Sequence, residues 1–142
     1  VIVTNDDLAE WIRADFPDFD IEASVIKNID NHKKLESALK YYDTAVLPMP
    51  CNQDPEFLRS IEDKSRIRLF ANAGCALTCP ARTCYRSFST INKFKGGDFL
   101  CSQDLKEREQ LGMIDFDIEE LHSLGFKRFK MLRAAPGNMT GF

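Results

Sequence analysis

The sequence predicts an α/β fold, a partial barrel of about five βα units carrying a cysteine-rich insertion after the fourth strand. Three observations point there. Short apolar runs begin at Val1, Ile21, Thr44 and Ile67, a repeat of roughly twenty residues. Between them lie stretches of helical period, so consecutive strands are joined by crossovers and run parallel. After the fourth run the rhythm breaks, and four of the five cysteines fall in the interruption. Five or six strands do not close an eight-stranded barrel, so the expectation is one domain over 1–142 that is a fragment of a longer chain, or an open sheet obeying the same local rules.

The first strand, Val1-Ile2-Val3, is followed by Thr4-Asn5-Asp6-Asp7, which supplies helix N-caps. Leu8, Trp11, Ile12 and Phe16 recur at helical spacing until Pro17 stops the helix. Ile21 to Ile26 reads as the second strand. Asp30 or Asn31 caps the next helix, whose Leu35, Ala38, Leu39 and Tyr42 share a face. Thr44 to Leu47 is the third strand, closed by Pro48-Met49-Pro50. Asp54-Pro55-Glu56 then marks a helix start, with a capping carboxylate, proline at the first helical position and an acid in the first turn.

Ile67 to Ala71 is the fourth strand, and a long insertion spans Asn72 to Gly112. It contains a predicted helix from Pro80 to Ile91 and a turn at Lys95-Gly96-Gly97-Asp98. The rhythm resumes with a strand at Met113 to Phe116, a helix capped by Asp117 and ended by Gly125, and a last strand from Arg128 to Leu132. Arg133 to Phe142, with Pro136 and Gly137, reads as a tail or the start of another loop.

Composition narrows the function classes. A chain of 142 residues that is 44% hydrophobic and 29% charged is ordinary for a soluble domain with a real core. A net charge of −3 argues against nucleic acid or an acidic membrane surface as partner. No apolar run is long enough to span a bilayer, and Val1 opens directly into structured sequence without a secretory leader. Its lack of an initiator Met suggests that residues upstream have been removed. An odd number of cysteines without an export signal fits a reducing compartment, and a cytoplasmic protein is expected.

The chemistry is concentrated in Cys75, Cys79, Cys84 and Cys101, spaced C-x3-C-x4-C-x16-C. Several thiolates brought to one point suit a soft metal or an iron–sulfur cluster. Loops at the carboxyl ends of parallel strands carry function in such folds. Cys75 lies just past the fourth strand and Cys51 just past the third, so those two can approach each other. Cys79-Pro80 is similar to the Cys-Pro step of ferredoxin-type runs. Arg82 and Arg86 are candidate cofactor-binding residues, placed to offset the charge of a thiolate-bound cluster. Zinc is the alternative: C-x3-C makes one knuckle, although Cys84 and Cys101 form no second one.

Other motifs carry less. His32 and His122 are the only histidines, and His122 reads as a solvent-edge helix residue. Neither H-E-x-x-H nor G-x-S-x-G occurs, so no zinc-peptidase or serine-hydrolase site can be drawn. Gly96-Gly97 is a turn signal, and the charged run from Asp104 to Glu109 is a solvated helix face. Lys127 and Lys130 either face a barrel mouth or alternate outward.

Several of these segments resemble a known family. Ala45-Val46-Leu47-Pro48, and Ile67-Arg68-Leu69-Phe70 leading to Cys75, are similar to the collagenase-like peptidase family of unassigned catalytic type. The nearest likeness is to its ubiquinone-biosynthesis proteins that support oxygen-independent hydroxylation. Arg82-Thr83-Cys84-Tyr85-Arg86-Ser87 is similar to that group's Gly-Arg-Cys-Tyr-x-Ser segment, with matching spacing from Cys84 to Cys101. Leu124-Gly125-Phe126-Lys127-Arg128-Phe129-Lys130 is similar to its Ala-Gly-Val-Asp-x-Phe-Lys stretch. Three departures stand beside the likeness: Cys75 and Cys84 are two residues further apart than the corresponding pair, no cysteine lies near the tail, and Leu132-Arg133-Ala134 replaces a Glu-Gly-Arg. In place of the tail ligand, Cys79 or Cys51 would serve.

The resemblance implies a TIM-like barrel holding a [4Fe–4S] cluster, with a redox or hydroxylation role. Two alternatives stay open, a peptidase acting on peptides and a non-catalytic α/β scaffold with a structural zinc. No catalytic residue is assigned. Open sheet edges call for a partner protein or a second copy to cover them.

Overall fold

The structure is a computed structural model that describes residues 1–79, 83–102 and 113–132. The chain divides into two compact units, Val1–Ala71 with Phe116–Met131, and Asn72–Asp115 with Leu132–Phe142. The first residue of the second unit is also where the sequence repeat breaks.

The first unit is a five-stranded parallel sheet. Its strands are β1 (Ile2–Val3), β2 (Glu22–Ala23), β3 (Thr44–Val46), β4 (Ile67–Phe70) and, from the far end of the chain, β7 (Arg128–Lys130). They lie in the order β1-β2-β3-β4-β7, so spatial order follows chain order. Each early strand is followed by a helix: α1 (Asp6–Asp15), α2 (His32–Ala38) and α3 (Pro55–Ser60). A further helix, α5 (Ile118–Ser123), precedes β7. Those crossovers make the parallel pairing possible.

The helix starts are written in short polar side chains. Asn5 accepts from the Leu8 N–H at 2.9 Å, and Asn31 from Lys34 at 3.0 Å. Asp54 accepts from Phe57 at 2.9 Å ahead of Pro55, and Asp117 from Glu120 at 2.9 Å. Each satisfies an N–H that the helix itself leaves open. Helix α5 ends at Gly125, whose φ of 100° is the left-handed geometry of a C-cap. The turn sends Phe126 into the interior, where it is fully buried. At the end of α2, Arg66 closes the open carbonyls, its Nη2 donating to Leu39 O at 2.8 Å and Tyr42 O at 2.6 Å.

Period-two alternation sorts the strand residues into two faces. Val3, Ala23, Ala45, Leu47, Ile67 and Leu69 pack in one cluster with Ala9, Leu35, Ala38, Leu58, Leu121 and Phe126 from the helical layer. Ile2, Glu22, Thr44, Arg68, Arg128 and Lys130 alternate with them and line the other face.

Two expected strands differ. The run from Ile21 to Ile26 pairs only over Glu22–Ala23, because Ser24 caps a 3₁₀ turn at Val25–Lys27 that closes on Asn28 with φ 51°. The run from Met113 to Phe116 does not join the parallel sheet. Its β6 (Ile114–Asp115) pairs antiparallel with β5 (Asn72–Ala73) in a separate two-stranded sheet of the second unit. The helix expected from Pro80 is α4, described over Thr83–Phe94. The expected charged helix over 104–109 and the tail from 133 fall outside the described residues. No helix among the described residues is long and apolar enough to cross a membrane.

Truncating the buried ring in Phe126→Ala is expected to cost about 3–5 kcal/mol in urea unfolding. Acid acts on a second feature. Burial raises the Asp43 carboxyl, but the Ile21 N–H at 2.8 Å, the Arg13 guanidinium and Arg66 outweigh it and hold the group below its ordinary value of 3.8. The resulting stability is complete above 3.8 and is lost as pH falls through the lower folded-state value. Both side chains of the ion pair are 39–40% exposed, so it amounts to under about 1 kcal/mol. Asp43→Asn should flatten this part of the acid limb in unfolding curves, and should leave stability above pH 5 or so lower.

Candidate functional site

In the second unit, Cys75 opens a 3₁₀ turn at Cys75–Leu77 that follows Gly74, and the Cys79 N–H donates to Cys75 O at 3.1 Å. Cys84 is the second residue of α4. Cys75, Cys79 and Cys84 are buried, whereas Cys101 is exposed. Cys51, in the 3₁₀ turn Met49–Gln53, belongs to the hydrophobic cluster of the first unit.

The segment that carries Cys101 is fastened on both sides. Ahead of it, Ser87 Oγ donates to Asp98 O at 3.0 Å and accepts from Leu100 N–H at 2.8 Å. Ser87 is three residues beyond Cys84, on the same face of α4, and it too is buried. Behind Cys101, Ser102 Oγ lies 3.2 Å from Cys79 Sγ. The reversal between α4 and this segment uses Lys95 at φ 54° and Gly97 at φ 120°; left-handed geometry of that kind is what the Lys95-Gly96-Gly97 signal anticipates. Thus the segment bearing Cys101 is tied to α4, which bears Cys84, through Ser87, and to Cys79 through Ser102. Among the described residues no three Cys, His, Asp or Glu form a group that could hold a metal ion.

The two predicted arginines fare differently. Arg82 lies outside the described residues, and Arg86 is an exposed residue of α4. His32 Nε2 is 2.8 Å from Ser60 Oγ, with its ring edge-on to Phe57. His122 is exposed on α5, as its position suggested, beside the Phe129 ring. Lys127 is exposed, while Lys130 is half-buried with its Nζ 5.6 Å from the centre of the Phe70 ring.

A second candidate was missed in the sequence. The polar face of the parallel sheet borders a cleft of about 450 Å³. In it the buried Glu22 accepts from Arg68 Nε at 2.5 Å and from Thr44 Oγ1 at 3.2 Å. The available signal was a charged residue at the outward position of Ile21-Glu22-Ala23 and of Ile67-Arg68-Leu69, both strands otherwise apolar.

Compared with family profiles, with curated proteins and with solved structures, the chain finds no match in any of the three.

Alkylation separates the thiols by access. Brief treatment of the native protein with iodoacetamide, followed by peptide mass mapping, should modify Cys101 well ahead of Cys51, Cys75, Cys79 and Cys84.

Proposed function

We propose that this chain is an iron–sulfur-binding protein built on a partial TIM-like barrel, acting in a redox or hydroxylation reaction in the cytoplasm. The observation that carries the proposal is the double fastening of the Cys101 segment, by Ser87 one helical turn beyond Cys84 and by Cys79 itself. It draws three of the four candidate ligand segments into one compact unit that also contains Cys75. As arranged, the described side chains do not make a preformed metal site. The proposal therefore has the metal centre complete the gathering of Cys75, Cys79, Cys84 and Cys101, metal binding and local ordering being one process. Such a centre would supply one-electron chemistry, with its potential set by charge and burial around the sulfurs. The barrel part is supported by a sheet whose spatial order follows chain order and by the single cluster that its helices share with one sheet face.

Anaerobic reconstitution with ferrous iron and sulfide, followed by metal and acid-labile sulfide analysis, tests the proposal. The expected outcome is retained iron and sulfide in equal amounts, with a charge-transfer absorbance that Cys84→Ser abolishes. Retention of zinc alone would favour a structural zinc. Retention of no metal, or of the same amount in Cys84→Ser, would overturn the assignment.

A further inference from the structure

The outward face of a parallel sheet is ordinarily aliphatic, because crossover helices or barrel packing cover it. Here that face carries charge at adjoining register positions. Glu22 pairs with Thr44, and Arg68 pairs with Arg128, so two guanidinium side chains leave directly opposed residues of β4 and β7. Neighbouring parallel strands are about 4.8 Å apart, and like charges placed directly across them are unfavourable. Lys130, paired with Phe70, adds a third cation to the same seam.

The protein answers only part of this charge. Glu22 neutralises Arg68, and its carboxylate is itself held by Thr44. Arg128 Nε donates to the Ser65 carbonyl at 2.8 Å, and neither Arg128 nor Lys130 has an ion-pair partner among the described residues. Asp43 also lines the cleft, but its carboxylate is taken by Arg13 and by the Ile21 N–H. Arg66 is engaged by the Asp43, Leu39 and Tyr42 carbonyls and acts on the Asp43 carboxylate, so what remains is Arg68, Arg128 and Lys130 facing Asp20 and the already partnered Glu22.

The fixing of Arg68 matters as much as the excess charge. Its Nε is bound to Glu22 and its Nη1 lies 3.4 Å from Phe129 O, while Nη2 has no protein partner among the described residues. A guanidinium locked on one side and open on the other is prepared to receive an oxyanion on the open edge. The cleft, at about 450 Å³, is within the range of small-molecule sites.

We propose that this cleft binds a small organic anion bearing a carboxylate or phosphate group, received by Arg68, Arg128 and Lys130, with Glu22 and Thr44 orienting Arg68. The assignment is independent of the thiols, since all of these residues belong to the first unit.

Thermal denaturation of the full chain, titrated with inorganic phosphate, with succinate, and with chloride at matched ionic strength, tests the proposal. A saturable rise in Tm with phosphate or succinate, absent with chloride, is expected. Phosphate alone would mark a phosphate ligand and succinate alone a carboxylate. The double variant Arg128→Gln/Lys130→Gln changes side chains that hold no buried charge, so its circular dichroism should match the parent. Its half-saturating anion concentration should rise at least about tenfold. The same titration in the variant as in the parent, or no saturable response to either anion, would overturn the proposal.

Discussion

Parallel pairing between strands some twenty residues apart is the constraint on which the first unit depends. A parallel neighbour cannot be reached by a tight turn, so the chain must leave the sheet and return after every strand. Each return carries an amphipathic helix, and each helix needs a face to cover. Register then decides everything downstream. With Ala23 opposite Ala45, and Ala45 opposite Ile67, one face becomes a row that is small beneath the early helices and larger toward β4. A slip of one residue would carry Glu22 and Arg68 into that row and turn the aliphatic side chains outward. Burial of the aliphatic row therefore places the charged row as well.

This dependence explains what could be read in advance. Caps are local, and Asn5, Asp54 and Asp117 act where the residue order put them, because a side chain needs only the N–H two or three residues on. The first four strands are legible through their spacing. The run from Met113 to Phe116 is legible as a strand, found at Ile114–Asp115, but its sheet is not, because the choice of partner is non-local. It pairs with Asn72–Ala73, two residues too few to announce a strand. The site divides in the same way. Cysteine spacing is plain in the sequence, but the serines that organise it are not, since Ser87 reads as an ordinary helix residue until its hydroxyl is seen to bind the backbone of Asp98 and Leu100. Glu22 and Arg68 stand 46 residues apart, and only the register of three strands brings them together.

The second unit is ordered differently from the first. Among its described side chains, the buried apolar ones are Ala73, Cys75, Cys79 and Cys84, while Phe94, Phe99, Leu100 and Ile114 are exposed. Among the described side chains, three of these buried positions are held by sulfur. A thiol is a small hydrophobe and can fill such a position. Directed polar ties stand beside these buried thiols. The Asn72 amide clasps Leu132 through both its oxygen, at 2.7 Å, and its nitrogen, at 3.2 Å, in the manner of one more strand. Ser87 does the same for the segment before Cys101. Segments already tied by directed bonds leave a metal less ordering to impose when it draws the thiols together, which is how the proposed coupling of binding to local ordering would operate.

The Glu22–Arg68 pair poses a sharper question than any cysteine. Burying the Glu22 carboxylate is expensive even beside a part-exposed Arg68, and an aliphatic side chain of similar volume commonly serves a fold as well or better. Stability therefore does not account for a buried carboxylate in the middle of a parallel sheet. Specificity of register does not either, because the aliphatic row already fixes it. What the carboxylate does that an aliphatic residue cannot is hold a guanidinium in one orientation, from one edge. Thr44 then constrains the carboxylate in turn, so that a chain of two hydrogen bonds ends in a fixed cation beside Arg128 and Lys130. Such an arrangement lowers the ordering cost of receiving an anion and leaves the like-charge repulsion between Arg68 and Arg128 to be relieved on binding. Recognition, rather than packing, is the purpose that its geometry fits.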